Sequence, residues 1–307
     1  MTVVRASGAP PFKAGHVSLV GRPNAGKSTI LNWFAGQKIA IVSDKPQTTR
    51  HRILGVRNLP DGQIVFIDTP GIHKPMHRMN RRMVDTATDT LGEVDVVVLV
   101  VDATLPPGTG DRFVLELLKR VHGGVVLALN KVDRVHKPDL LPLMQFYAQS
   151  FPFKAIVPVS ALNGDGLPAL EREILAALPD GEPLYPDDYL TDQTQRTLTA
   201  ELIREQVLAH TRDELPYTTA VVVDQFEEPE EGGGITKIYA SILVDTESQK
   251  PIVVGKGGDM IKRIGTAARQ GLEAMLDGRV YLDLHVKVRQ DWRDDERLLD
   301  ELGLNRR

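Results

Sequence analysis

Three things are missing from this sequence of 307 residues: cysteine, a long apolar run and a large charge imbalance. Without cysteine there are no disulfides, thiolate zinc sites or iron–sulfur clusters, which is typical of proteins of the reducing cytoplasm. The longest strongly apolar run, Val96 to Val101, is far shorter than the about 20 residues of a membrane-spanning helix. Lys and Arg number 37 and Asp and Glu 41, giving a net charge of −4, so any nucleic-acid site must be a local patch.

The order of hydrophobic patterns predicts two folded domains. Residues 16–178 alternate strand-like apolar runs with amphipathic helices, which predicts an α/β domain with a doubly wound, mostly parallel sheet. Residues 192–290 follow the order α-β-β-α-β, which predicts a second, smaller α+β domain. Residues 179–191, rich in proline and acidic residues, are predicted to be the linker, with residues 1–15 a flexible leader and 291–307 a C-terminal tail.

A glycine-rich motif near the N-terminus predicts a P-loop NTPase. Residues 21–28, Gly-Arg-Pro-Asn-Ala-Gly-Lys-Ser, fit G-x-x-x-x-G-K-[ST] between a predicted strand and a predicted helix. In such a loop the backbone amides and the helix N-terminus bind phosphate oxygens, while Lys27 would reach the β- and γ-phosphates and Ser28 would bind Mg²⁺. The predicted phosphate site comprises Gly21, Asn24, Ala25, Gly26, Lys27, Ser28, Thr29 and Gly71.

A second motif, Asn130-Lys-Val-Asp133, indicates which base is bound. The Asp133 carboxylate can accept from both N1–H and N2–H₂ of guanine, whereas adenine offers neither donor and would leave the acid unpaired. Asn130 would contact the ring and tie this loop to the P-loop, the Lys131 stem would cover the base, and the Ala161 amide would donate to guanine O6. The predicted guanine site comprises Asn130, Lys131, Asp133, Ser160, Ala161 and Leu162.

Two further loops have the character of nucleotide switches. In Asp68-Thr-Pro-Gly71, Asp68 would hold Mg²⁺ through water and the Gly71 amide would contact the γ-phosphate. In the loop 47–50, Thr49 is the predicted Mg²⁺ ligand, and Thr48 is the alternative. The predicted switch residues are Gln47, Thr48, Thr49, Arg50, Thr69, Pro70 and Ile72, and the predicted Mg²⁺ ligands are Ser28, Thr49 and Asp68.

The C-terminal domain carries the core motif of a KH domain. Residues 252–264 place Gly-Lys-Gly-Gly between an apolar segment and a helix, and KH domains clamp single-stranded RNA against such a G-x-x-G loop. From Lys250 to Arg289 there are eight Lys or Arg and four Asp or Glu, a local charge of 8 − 4 = +4. The helix-first order favours the prokaryotic KH topology. The predicted RNA site comprises Gly255, Lys256, Gly257, Gly258, Lys262, Arg263 and Arg269.

In motif order and in the segments around these motifs, the chain resembles the Era family of bacterial GTPases from His16 to Leu304. The resemblance implies a GTP-hydrolysing switch that binds GTP and GDP with Mg²⁺, and whose KH domain binds the 3′ region of 16S ribosomal RNA and assists maturation of the 30S subunit. It implies a cytoplasmic location, with peripheral association at the inner face of the cell membrane. Asn24 resembles the residue that helps related GTPases bind K⁺.

The motifs do not identify the residue that activates water for hydrolysis. Ras-type enzymes have a water-positioning glutamine where this chain has Ile72, and no side chain can be assigned as the catalytic base. We therefore expect slow intrinsic turnover, raised by a partner or a monovalent cation. The basic segment 73–82 is open to two interpretations, a flexible switch loop or a contact with RNA. His73 and His77 lack a third ligand, so they do not predict a metal site.

Two alternatives remain open from the sequence. One is an ATP-using P-loop enzyme with a nucleic-acid domain, against which Asn130 and Asp133 argue. The other is a membrane-associated or signalling GTPase whose KH-like domain binds a protein. This second alternative shares every predicted nucleotide-site residue, so only RNA binding separates it from the first interpretation.

Overall fold

The computed structural model describes residues 11–45, 48–71, 78–212, 215–229 and 234–304. These residues form two compact units. The first unit contains the described residues up to 39, those from 52 to 71 and those from 85 to 192. The second contains those of 40–51 and 78–84 together with everything described from 193 onward.

The first unit is built on a six-stranded sheet among the described residues, in the order β2-β3-β1-β4-β5-β6. Only β2, at the edge, pairs antiparallel, with β3; the other neighbouring strands are parallel. The strands are β1 (Lys13–Val20), β2 (Ile53–Leu59), β3 (Gly62–Asp68), β4 (Val96–Asp102), β5 (Gly124–Asn130) and β6 (Ala155–Pro158). The helices are α1 (Lys27–Ala35), α2 (Arg78–Glu93), α3 (Thr109–Leu118), α4 (Lys137–Ser150) and α5 (Leu167–Ala177), of which α2 belongs to this unit only from residue 85 onward.

Burial explains why the inner strands lack polar alternation. Val96–Val101 of β4 is buried along its whole length, because β1 and β5 flank its edges and helices pack against the sheet. The predicted doubly wound, mostly parallel α/β sheet is therefore confirmed. Its carboxyl-end edge gathers the loops after β1, β3, β4, β5 and β6, which is where ligands bind in such sheets.

The strand β1 begins earlier than the sequence predicted. The leader was expected to extend to residue 15, but Lys13–Gly15 already pair with Gly62–Ile64 of β3. The Lys13 amide also donates to the Asp61 carbonyl over 3.1 Å. These ladder hydrogen bonds hold the three residues in the sheet, although their composition alone gives no strand signal.

The proline-rich segment predicted as the linker lies against the edge of the sheet. The fully buried Gln63 side chain accepts from the amides of Leu184 (2.6 Å) and Tyr185 (2.9 Å) and donates to the Tyr185 carbonyl (2.8 Å). The rings of Tyr185 and Tyr189 stack on each other with their centroids 4.7 Å apart, and they pack against apolar side chains of β2 and β3. Residues 184–189 are therefore bound to the first unit, and we call them the strap.

The second unit contains the small α+β domain, and its topology is that of the prokaryotic KH fold. Its three-stranded sheet has the order β7-β8-β9, with β7 antiparallel and β9 parallel to β8. Along β9 the side chains of Val280 and Val286 are buried. The elements are α6 (Gln195–His210), α7 (Leu215–Thr218), β7 (Ala220–Glu227), β8 (Ile235–Val244), α8 (Lys250–Val254), α9 (Asp259–Leu276), β9 (Arg279–Val288) and α10 (Glu296–Glu301).

A second apolar cluster lies in this unit around Trp292. The ring is fully buried, and its Nε1–H donates to the Thr218 carbonyl over 2.8 Å. Met79 and Met83 of α2 and Leu299 of α10 belong to the same cluster. The predicted C-terminal tail is thus packed through residue 304. Across the described ranges, no helix is both long and apolar enough to cross a membrane.

Candidate functional site

The P-loop lies between β1 and α1, and its backbone is shaped by Gly26. Gly26 has φ 102°, in the left-handed region, and a Cβ there would collide with the Asn130 amide nitrogen. Only glycine satisfies both constraints, since other residues rarely adopt this φ and all carry a Cβ. The loop then enters α1 at Lys27, so the helix N-terminus faces the place predicted for the phosphates.

Two predicted Mg²⁺ ligands already lie together beside the predicted phosphate-binding lysine. The Ser28 hydroxyl donates to Asp68 Oδ2 over 2.7 Å. Lys27 is buried, which lowers the pKa of its ammonium, while the Asp68 charge opposes that shift. A hydroxyl and a carboxylate are the hard oxygen donors that Mg²⁺ prefers, and they fit the usual site of one or two protein ligands beside substrate phosphates.

The loop after β5 is tied directly to the P-loop. Asn130 Nδ2 donates to the Ala25 carbonyl over 2.8 Å, which confirms the predicted link between the two loops. The next residue, Lys131, has φ 67°, and Asp133 follows within a short 3₁₀ turn. The Arg134 Nε lies 3.7 Å from an Asp133 carboxylate oxygen.

The third part of the predicted guanine site is a tight turn after β6. The Asn163 amide donates to Ser160 Oγ over 3.3 Å, and the Gly164 amide donates to the Ser160 carbonyl over 2.8 Å. The Ala161 amide, predicted to donate to guanine O6, donates to Asn130 Oδ1 over 2.9 Å. This amide therefore holds the loop, and a guanine O6 would have to share it. Leu162 is 73% exposed beside it.

The Asp68–Gly71 segment is anchored at its first residues. Thr69 is fully buried and its hydroxyl donates to the Leu19 carbonyl over 3.1 Å, so this predicted switch residue is fixed to β1. A Cβ on Gly71 would lie 3.0 Å from Pro23, which places Gly71 against the P-loop. Pro70 is buried. Ile72, with His73 and His77, lies outside the described residues, as does Gln47.

The other predicted switch residues belong to the second unit. Thr48 and Thr49 are buried, and Thr48 uses its own hydroxyl to donate to the Lys45 carbonyl over 2.6 Å. The guanidinium of Arg204, on α6, donates to the Thr48 carbonyl. Arg50 donates to the Thr219 carbonyl over 2.8 Å.

The charges around Arg50 are crowded and buried. The Arg50 guanidinium lies 5.5 Å from the centre of the Trp292 ring, a cation–π contact. Burial and the Arg204 charge lower the pKa of Arg50 to about 9, against the attraction of Glu201. Burial, with Arg204 and Arg50 beside it, also lowers the pKa of His51, although Glu201 opposes this.

The G-x-x-G loop has the open backbone that RNA contact requires. Gly255, Gly257 and Gly258 all have positive φ, and a Cβ on Gly257 or Gly258 would have no atom within 4 Å. A strand of RNA can therefore approach the backbone closely here.

The predicted RNA-site cations differ in their partners. Arg263 pairs with Asp259 at 2.7 Å and Arg269 with Glu273 at 3.5 Å. Within the described ranges, no ion pair involves Lys256 or Lys262, which are exposed at the loop and the first turns of α9. These two lysines are the best placed for phosphate.

Part of the basic segment 73–82 is engaged inside the chain. Arg78 lies 3.2 Å from Glu296 and Arg82 lies 2.6 Å from Asp300, both acids of α10. Arg82 is buried, whereas Arg81 is exposed. This internal packing of Arg78 and Arg82 belongs to neither of the two interpretations given for the segment, and the described residues do not decide between those two.

Comparison with known proteins decides the family. The family described as 50S ribosome-binding GTPase matches residues 16–131, and the KH domain family matches residues 214–293. GTPase Era of Geobacter metallireducens is 50% identical over 293 residues, covering 95% of this chain and 98% of that protein. This chain belongs to the GTPase Era family. Membership rules out the ATP-using alternative.

Solved Era structures share the fold. A crystal structure of Era in complex with MgGDPNP and nucleotides 1506–1542 of 16S ribosomal RNA has a TM-score of 0.92 and 40% identity, covering 95% of this chain and 99% of that one. An Aquifex aeolicus Era variant bound to GDP·AlF4⁻ gives a TM-score of 0.91 at the same identity and coverage. The predicted family, fold class and GTPase activity are thus confirmed.

Sequence reasoning missed several residues that the structure of this chain places beside the predicted ones. Arg204 and Glu201 lie on a helix whose charged residues read as a solvent face, so no sequence signal marked them. Asp102 could have been found, because it ends a strand beside the one that carries Asn130.

Proposed function

We propose that this GTPase uses the site around Lys27, Asp68 and Asp133 to bind and hydrolyse GTP, and uses its KH domain to bind the 3′ end of 16S ribosomal RNA. In this role it assists assembly of the 30S subunit, with GTP favouring RNA binding and hydrolysis promoting release. The Era relative in complex with MgGDPNP and a 16S fragment carries this proposal. The open Gly255–Gly258 loop supports it.

Mg²⁺ is the proposed metal. Ser28 and Asp68 would hold it, as their oxygen atoms lie 2.7 Å apart beside the predicted phosphate site. When bound, Mg²⁺ would neutralise charge on the phosphates. Thr49 remains the proposed third protein ligand.

Contacts within the second unit support the proposed coupling between nucleotide and RNA binding. Thr48 and Arg50, on either side of Thr49, are each held by a hydrogen bond to this unit, through Arg204 and the Thr219 carbonyl. The Val42 amide also donates to Glu205 of α6 over 2.9 Å. If nucleotide binding moves Thr49, the movement acts on the unit that contains the KH domain, which is how a population shift would reach RNA.

K⁺ is proposed as an activating cation through Asn24, which has φ 62° in the P-loop. A cation there would stabilise negative charge that develops between the phosphates, as an arginine finger does in trans. We expect a higher kcat in KCl than in NaCl, and a smaller difference in Asn24→Ala. Equal rates in the two salts would contradict this part of the proposal.

RNA binding is tested with an RNA fragment of nucleotides 1506–1542 of 16S ribosomal RNA. Gly257→Asp puts a negative charge in the loop where a Cβ meets nothing within 4 Å, and Asp is among the residues that best tolerate the φ of 62° there. The protein should therefore fold and bind this RNA at least about tenfold more weakly. The matched control is Gly271→Asp on α9, which is equally free of Cβ contacts and should bind as the wild type does. Salt-insensitive binding, or equal binding by Gly257→Asp, would favour a protein-binding KH-like domain.

A cytoplasmic location with peripheral membrane association is the remaining expectation from the family resemblance. Fractionation of cells expressing the chain would test it. The domain boundaries predicted at residues 178 and 192 stay proposals beside the two units described above.

A further inference from the structure

The strands β4 and β5 end side by side at the predicted guanine site. Asp102 is in register with Asn130, and the Ala103 amide donates to the Asn130 carbonyl over 2.9 Å. The side chain of Asp102 therefore emerges next to the start of the Asn130–Asp133 loop. None of the motifs includes Asp102.

The Asp102 carboxylate uses its two oxygen atoms for two separate tasks. Oδ1 accepts from the Thr104 amide (3.0 Å) and from the Thr104 hydroxyl (2.6 Å), which fixes the carboxylate. Oδ2 accepts from Lys131 Nζ over 2.5 Å. The Asp102 side chain is 15% exposed and that of Lys131 is 26% exposed, so water screens this pair only in part. Burial raises the pKa of Asp102, but the hydrogen bonds from Lys131 and Thr104 outweigh burial and keep the pKa below its usual value.

Lys131 needs such a restraint if its stem is to cover a base. A lysine side chain has several rotatable bonds, and ordering it costs entropy each time that a ligand binds. An ammonium held at a fixed carboxylate leaves the stem ordered before the base arrives. The φ of 67° at Lys131 shows that the backbone here is also held in an uncommon conformation.

We propose that Asp102 is a positioning residue for guanine nucleotides: it holds the Lys131 ammonium so that the lysine stem is preorganised over the face of the base. This inference rests on the proposed role of Lys131 in the guanine site. The contact between the Lys131 stem and the face of the base does not depend on which hydrogen-bonding groups the edge of the base carries. Asp133, in contrast, would bind the groups on that edge. Loss of Asp102 should therefore weaken binding without changing edge selection.

The test compares GDP with IDP, which lacks the N2 amine that Asp133 would bind. In Asp102→Asn the shape is kept and the charge is lost, and we expect the Kd for GDP and for IDP each to rise about fivefold, as for a partly buried charge-assisted hydrogen bond. The ratio of the two Kd values should stay at the wild-type value. Asp139→Asn, an exposed aspartate of α4, is the matched control and should leave both Kd values unchanged. If the Kd values for GDP and IDP become equal in Asp102→Asn, the variant has lost edge selection. That result would indicate a merely structural role for Asp102 and would overturn the proposal.

A double-mutant cycle with Lys131→Met locates any failure. Lys131→Met keeps most of the stem but loses the ammonium, and Asp102→Asn should cause no further loss in that background. If Lys131→Met weakens GDP binding but Asp102→Asn alone does not, the inference fails and the guanine site stands. If Lys131→Met binds GDP as the wild type does, the ammonium is not needed and the inference fails, while the proposed contact of the stem with the base stands.

Thr104→Val keeps the proposal testable should Asp102→Asn not fold. It removes the 2.6 Å hydrogen bond that fixes the carboxylate and leaves the ion pair with Lys131. We expect a loss of about twofold for GDP and IDP alike. No loss in a folded Thr104→Val protein would contradict the mechanism.

Discussion

At the scale of single residues, the nucleotide site is prepared by side chains that would be costly to bury elsewhere. Lys27 is buried beside the Asp68 carboxylate, and burial lowers the pKa of its ammonium. Phosphate oxygens would supply the negative charge that favours the protonated form. The lysine is therefore better satisfied with nucleotide than without it, which is expected of a residue selected for binding.

Base selection depends on one carboxylate, so its replacement should change the base that is bound. In Asp133→Asn the amide can no longer accept from both guanine donors, but its NH₂ can donate to the O2 carbonyl of xanthine. We expect GDP affinity to fall at least about 100-fold and affinity for xanthosine diphosphate to rise above that of the wild type. Competition titrations measure both.

The control for this exchange is Asp61→Asn, at an exposed turn, which should bind both nucleotides as the wild type does. Unchanged GDP binding by Asp133→Asn would remove the basis of guanine selection proposed for this loop.

At the scale of elements, α6 does more than its hydrophobic pattern indicates. Leu202, Ile203 and Val207 are buried, as their spacing predicts, but Arg204 is also buried. Arg204 forms an ion pair with Glu201 at 2.6 Å and reaches the segment 48–51. The helix therefore carries both a KH core face and the binding surface for a predicted switch segment.

The packing of that segment should depend on pH. Burial lowers the pKa of His51 below its ordinary value of 6.5, with Arg204 and Arg50 acting in the same direction and Glu201 opposing them. Below that pH the unfolded chain binds more protons than the folded chain does, so stability is present above pH 6.5 and is lost as pH falls below it. We expect the urea midpoint of the wild type to fall between pH 7.5 and 5.5, and to fall less in His51→Asn.

The exposed His122 provides the comparison for this titration. His122→Asn should keep the pH dependence of the wild type. If His51→Asn loses stability on acidification as steeply as the wild type does, His51 does not cause the effect.

Features that depend on a few neighbouring residues were predictable from the sequence. Features whose structure depends on contacts with distant segments were not. The P-loop and the Asn130–Asp133 loop were predictable because each combines a strand end, special backbone positions and a chemical requirement within a few residues. The strap around Tyr185 was not, because its order comes from Gln63, a polar residue on a buried strand. Nor could spacing reveal that Thr48 and Arg50 are held by α6 and the residues before β7.

At the scale of the whole molecule, the proposed switch requires that the affinities for GTP and for RNA be coupled reciprocally. If GTP raises the affinity for RNA by some factor, RNA must raise the affinity for GTP by the same factor. We expect a factor of about 5 to 150, the usual range of such coupling, when the non-hydrolysable analogue GDPNP replaces GDP in RNA titrations. The reverse titration, with nucleotide added to the RNA complex, must give the same value.

Gly257→Asp is the control for this coupling experiment. Because it should bind RNA weakly, its affinity for GDPNP should be the same with and without RNA. A coupling factor of one in the wild type would mean that the nucleotide and the RNA are bound independently.

The placement of the two tryptophans has a practical consequence. Trp292 carries the Arg50 cation on its ring, whereas Trp33 lies by the turn at Gly164. A positive charge over an indole alters its emission, so in a Trp33→Phe background the remaining fluorophore is an intrinsic optical gauge of where Arg50 is. The timing of the switch can then be followed in stopped flow without attaching a dye.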